Sequence, residues 1–168
     1  MDDSNSMLAF VLNHLPDYWD PVPSYTCSNM VFSLSPSRNA DEYYFVESMF
    51  YGAHVSRISR VQNPFTYGRF MLRREMIQST YEDTVFHGVH KDDLKIALKF
   101  NCDYRRYARK RDGGIYENSQ HPMFYKTFSD LLNNTTHAIT DINVLVVKIL
   151  TDAPKTQCDY YVQYIVKF

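Results

Sequence analysis

The run Ile142 to Leu150, INVLVVKIL, constrains this chain more than any other stretch. It is dominated by Val, Ile and Leu with one lysine, which makes it the strongest strand signal in the sequence. Weaker strand signals lie on both sides of it. Met30 to Ser33 is a short candidate. Val55 to Gln62 alternates through Val55, Arg57/Ile58 and Arg60/Val61 as a strand with one wet face, and Asn63-Pro64 stops it. Thr84 to Phe86 reads as a short buried strand that delivers His87-Gly88, and Tyr160 to Phe168 as a closing strand.

Helical spacing fills the intervals. Met7 to Leu15 carries Leu8, Val11, Leu12 and Leu15 on one stripe, and Pro16 closes it. Asp41 to Tyr51 places Tyr44, Phe45, Ser48 and Met49 at helical spacing, with Asp41 and Glu42 in the first turn and Gly52 past the end. Thr66 to Gln78 predicts a helix with Phe70, Leu72, Met76 and Ile77 apolar and Arg69, Arg73 and Arg74 outward. Lys91 to Phe100 turns Leu94, Ala97 and Leu98 inward, and Pro122 to Leu132 is helix-like. Strands in both halves, mixed with helices, predict an α+β fold.

At 168 residues the chain has the length of one domain with a sizeable core. A net charge of −1 gives no global case for nucleic acid or an anionic membrane. Fourteen Tyr and 11 Phe accompany a single Trp, a composition suited to half-buried strands or an aromatic cleft. Cys27, Cys102 and Cys158 form no CxxC pair, which argues against a disulfide scaffold and for a reducing compartment. No window approaches the ~18 apolar residues of a membrane span. Met7 to Leu12 is too short for a signal core and follows Asp2 and Asp3. The expectation is an intracellular protein, nuclear or cytoplasmic. The six histidines show no metal-ligand spacing, so no metal is expected.

Several stretches together resemble the catalytic domain of the PARP family of ADP-ribosyltransferases, in the mono-ADP-ribosylating branch that accompanies CCCH zinc fingers and macrodomains. Tyr18-Trp19-Asp20-Pro21, Asp41-Glu42-Tyr43 and Phe50 are similar to the opening segment of that branch. Val55 to Phe65, with Arg60-Val61-Gln62-Asn63-Pro64, resembles its "RVQNP" strand. Glu82 with Val85-Phe86-His87-Gly88 resembles "E…LFHGT", and Asn101-Cys102-Asp103-Tyr104-Arg105 resembles "NFDxR". Gly114-Ile115-Tyr116 is similar to part of "GxGxYF", and Lys148-Ile149-Leu150-Thr151 to "KVLTG". The likeness spans about residues 15–151. It implies two antiparallel half-sheets around an NAD-type cleft, in a single domain over residues 15–168 after an N-terminal extension, 1–14, and without the helical regulatory subdomain of chain-forming members.

The resemblance also implies roles. Gly88 would offer backbone N–H and C=O to the nicotinamide amide, His87 would hydrogen-bond the adenine-side ribose, and Tyr116 would stack on the nicotinamide ring. A residue on a later strand, Glu in chain-forming members and often Ile or Leu in mono-transferring ones, would complete the triad. The family's chemistry is positioning plus electrostatic stabilisation as nicotinamide leaves.

Departures from the pattern are as informative. Val89 replaces a Thr or Ser, and Glu117 replaces the Phe after the tyrosine. The nicotinamide-binding Ser falls on Phe124 without gaps, and the second stacking tyrosine on Thr127, or on Tyr125 with a two-residue shift. The segment before the closing strand is only Asp152 to Asp159. Either Gln163 takes the third triad position or that strand is deleted. The expectation is a degenerate PARP-like domain, inactive, without a cofactor, serving as a protein or RNA interaction module. The alternative is an active mono-ADP-ribosyltransferase using NAD. The basic run Arg105, Arg106, Arg109, Lys110 and Arg111 is a candidate contact for phosphate or RNA, against the plainer reading of a solvated loop.

Overall fold

The computed structural model describes residues 3–23, 28–103, 106 and 123–168. In chain order the elements are α1 (Asp3–Asn13), β1 (Met30–Ser33), α2 (Ala40–Ser48), β2 (Arg57–Gln62), α3 (Pro64–Ile77), β3 (Asp83–His90), α4 (Leu94–Lys99), α5 (Phe128–Asn134), a 3₁₀ turn (Ile139–Asp141), β4 (Ile142–Ile149) and β5 (Tyr160–Lys167). Among the described residues the five strands form one antiparallel sheet, ordered β1-β2-β5-β4-β3. The class is α+β, as the sequence predicts.

The INVLVVKI strand is β4. It is paired on both edges, by β3 and β5, and every residue but Lys148 is buried. A strand covered on both faces has no reason to alternate apolar with polar. The expected pair of half-sheets is instead one continuous sheet in the described residues, because β5 bonds β2 through Tyr164–Lys167 and β4 through Tyr160–Val166. Within the β4–β5 pairing the register slips at Val146/Val147, leaving Gln163 as the extra residue of a bulge.

Strand alternation divides the core in two. One face carries Val85, Val89, Leu145, Val147, Tyr160 and Ile165 against Ala97 of α4 and Cys102. The other carries Ile58, Phe86, Val146 and Val166 against Val46 of α2, Phe50 just past its end, and Phe128 and Leu131 of α5. Phe50 meets Phe86 and Phe128 edge-on, at centroid distances of 5.4 and 4.9 Å. Burying a ring of that size contributes roughly 1.5–3 kcal/mol. Helix α3 adds a third cluster, with Phe70 against Leu150 and Tyr161.

Four expectations are corrected. Strand β3 runs through His87 and Gly88 to His90, since all of Asp83–His90 pairs with β4. Helix α2 buries Val46, with Tyr43 and Met49 packed behind it, and turns Tyr44 and Phe45 outward. Helix α5 starts at Phe128, not Pro122: Tyr125 exchanges two backbone bonds with Phe86 (2.8 and 2.9 Å), so the chain there is extended until Thr127 caps the helix through the Asp130 N–H. Arg73 is not merely wet, since its Nε donates to the buried carboxylate of Asp159 at 2.8 Å.

Candidate functional site

Two groups of residues singled out by sequence have defined surroundings. The first is Arg60-Val61-Gln62-Asn63-Pro64. Arg60 faces the same side of the sheet as its β5 partner Tyr164 and is 3% exposed. A buried guanidinium needs carboxylates and acceptors to replace water. Its Nη1 donates to Glu42 at 2.7 Å, its Nη2 pairs with Asp20, and its Nε donates to Gln62 Oε1 at 2.9 Å. The same Gln62 oxygen accepts from the Asp20 N–H, and Gln62 Nε2 donates to the Asp20 carbonyl, both at 2.9 Å. Tyr164 donates its hydroxyl to the second Glu42 oxygen at 3.0 Å, and burial, with Tyr18 and Glu42 nearby, raises the phenol pKa and keeps it protonated. Asn63 then caps α3 through the Thr66 N–H at 3.0 Å, with Pro64 at the first helical position. The stretch therefore fastens the Tyr18–Asp20 segment to the sheet, where Trp19 packs on Tyr67 (5.2 Å) and Tyr161 (6.1 Å).

The second group surrounds His87. Its side chain lies on the α4 side of the sheet, between Val85 and Val89, and the residue is 2% exposed. Nδ1 donates to the Met123 carbonyl at 2.9 Å. The ring stands edge-on to Phe124 at 6.0 Å, and Phe124 in turn packs edge-on against Tyr160 at 5.2 Å. Burial lowers the imidazole pKa to about 4, against the opposing pull of the Met123 bond, so the ring is neutral at pH 7. Phe124 thus stands against the histidine. Val89 is core beside α4, packed in one cluster with Ala97.

Gly88 belongs to the opposite face, where a Cβ would make an ordinary contact with Leu131 at 3.5 Å. Its backbone is better placed. In an antiparallel ladder alternate residues point to alternate edges, so Gly88 turns its N–H and C=O to the same edge as Phe86, the edge bridged by Tyr125. Tyr125 itself packs on the α2–α5 side.

Gln163 stands apart from this group. Strand β4 separates β5 from β3, and the bulge turns Gln163 into a small recess lined with Tyr18, Trp19, Arg60 and Tyr164. Tyr116, Glu117, Arg105, Arg109, Lys110 and Arg111 lie outside the described residues. Arg106 is engaged within the chain: its Nε is 3.7 Å from Asp103, and its guanidinium lies 4.6 Å from the Phe100 ring centroid. The Arg60 cluster and the Met123 carbonyl are the groups that periodicity could not find, although "RVQNP" marks the first. Among the described residues no cluster of three or more His, Cys, Asp or Glu could hold a metal ion, and no helix is long and apolar enough to cross a membrane. Searches of protein-family models and of curated proteins returned no match for this chain.

Proposed function

We propose that this chain is a PARP-like domain that no longer turns over NAD and acts as an interaction module with a protein partner. The observation that carries the reading is the state of His87, an imidazole 2% exposed, bonded to Met123 and backed by Phe124. A ribose hydroxyl would have to displace that packing, and the serine that the family uses nearby is an aromatic ring here. Gln163 also lines a recess with Tyr18, Trp19 and Arg60 of which His87 is no part.

The alternative, an active mono-ADP-ribosyltransferase, is favoured by one observation: the Gly88 N–H and C=O point to a sheet edge, as backbone recognition of an amide requires. Thermal unfolding with millimolar NAD or a nicotinamide mimic separates the two. A ligand of the folded state raises the midpoint by mass action. The proposal expects no shift and no release of nicotinamide. A shift of several degrees with nicotinamide release, both lost in Gly88→Val, overturns it.

A further inference from the structure

The outer side of α2 carries an unusual set of side chains. Tyr44 is 56% exposed, Phe45 is 62% exposed and Tyr51, in the turn after the helix, is 98% exposed. Tyr44 and Phe45 share one helical stripe with exposed Asp41 and Ser48, and Tyr51 follows three residues on in the turn. Single exposed apolar residues need no explanation, but three large aromatics together form a patch.

Among the described residues three other rings of the molecule, Tyr18, Phe65 and Phe100, are met by cations of the same chain, whereas exposed Tyr81 is not. Arg60 lies 5.7 Å from the Tyr18 centroid, Arg69 5.7 Å from Phe65, and Arg106 and Lys99 lie 4.6 and 5.4 Å from Phe100. Each of these three ring faces is therefore occupied by a guanidinium or ammonium group. Among the described residues no arginine or lysine lies over Tyr44, Phe45 or Tyr51. The helix contains no basic residue, while Asp41, Glu42 and Glu47 lie on it. Glu42 is committed to Arg60; exposed Asp41 and half-buried Glu47, which also accepts from the Tyr43 hydroxyl, carry the remaining negative charge of the helix. The nearest cation in sequence is Arg38, in the turn before the helix.

We infer that the patch formed by Tyr44 and Phe45 of α2 and Tyr51 of the following turn docks an arginine-rich segment of a partner protein. This rests on the reading of the chain as an interaction module and gives that module its surface. Guanidinium planes stack on the ring faces while Asp41 and Glu47 pair with their charge. Arginine fits better than lysine because its flat, weakly hydrated head covers a ring. The two carboxylates disfavour a nucleic-acid phosphate at the same place.

The test is fluorescence anisotropy of the full chain with a labelled arginine–glycine repeat peptide, beside lysine–glycine and glutamate–glycine peptides and single-stranded oligouridylate. Saturable binding of the arginine peptide is expected, several-fold weaker for the lysine peptide. The triple variant Tyr44→Ser/Phe45→Ser/Tyr51→Ser loses about tenfold or more, since three exposed cation–π contacts go together, with little change in thermal midpoint. Asp41→Asn/Glu47→Gln keeps every ring, weakens binding several-fold and flattens its salt dependence. Absence of binding by the wild type at millimolar peptide overturns the inference. So does binding that survives the triple variant, or oligouridylate binding that the triple variant abolishes. A concentration-dependent dimer abolished by the triple variant assigns the patch to a second copy and likewise overturns it. NAD turnover is read separately, so failure here is distinct from failure of the functional proposal.

Discussion

His87 Nδ1 and the Met123 carbonyl oxygen are 2.9 Å apart, and this bond ties the middle of β3 to the segment that leads into α5. It fixes the proton on Nδ1, because a carbonyl can only accept. The imidazole is thereby a buried, neutral donor with a protein partner.

That burial makes stability depend on pH. The folded imidazole titrates at about 4, below its ordinary value of 6.5. Between those values the unfolded chain binds a proton that the folded chain does not. Stability is therefore complete above pH 6.5 and declines as pH falls toward 4, with a slope of up to about 1.4 kcal/mol per pH unit. Urea midpoints of the wild type and His87→Phe across this range check it. The two curves should converge at low pH, and parallel curves would refute the assignment.

Arg60 should be the costliest single polar residue to remove. Arg60→Met leaves the mostly buried Glu42 carboxylate without its cation and Gln62 without its guanidinium, and should cost about 3 kcal/mol or more. Asp20→Asn keeps the backbone clamp from Gln62 and its side chain is well exposed, so it should cost about 1 kcal/mol or less. Chemical denaturation of both variants measures the difference.

Helix α1 rests on α3 where Val11 covers Gly68. A Cβ at position 68 would overlap the Val11 side chain. Gly68→Ala should destabilise by about 1–3 kcal/mol, the usual range for overpacking. Val11→Ala alone also weakens the contact, yet the double variant should be more stable than the sum of the two single losses. Additivity in a double-mutant cycle would show that the helices do not meet there.

Asp159 organises the link before β5. It is almost wholly buried and accepts from Arg73 Nε at 2.8 Å and from the Lys155 and Thr156 N–H groups at 2.9 Å. Burial pushes its pKa up, but these donors outweigh burial and hold it below the ordinary carboxylate value. A carboxylate of depressed pKa stabilises at neutral pH and loses that contribution as pH falls through its folded pKa. Asp159→Asn should cost about 1–3 kcal/mol at pH 7 and progressively less in acid, which denaturation at both pH values tests.

The sequence by itself determined the elements whose signal is local. The β-branched run at 142–149 could only be a covered strand, Asn63-Pro64 carried its own helix cap, and the Leu94/Ala97/Leu98 spacing turned the correct side of α4 inward. Tertiary structure decided what depends on residues far apart in the chain. Helix α2 has apolar residues on both sides, so periodicity could not choose between Tyr44/Phe45 and Val46/Phe50; the sheet chose the second pair. The start of α5 depended on Tyr125 finding Phe86, a pairing 39 residues away that no helix propensity encodes. Whether His87 is an open ligand or a packed donor also waited on tertiary contacts, because burial belongs to the neighbours, Met123 and Phe124, and not to the histidine.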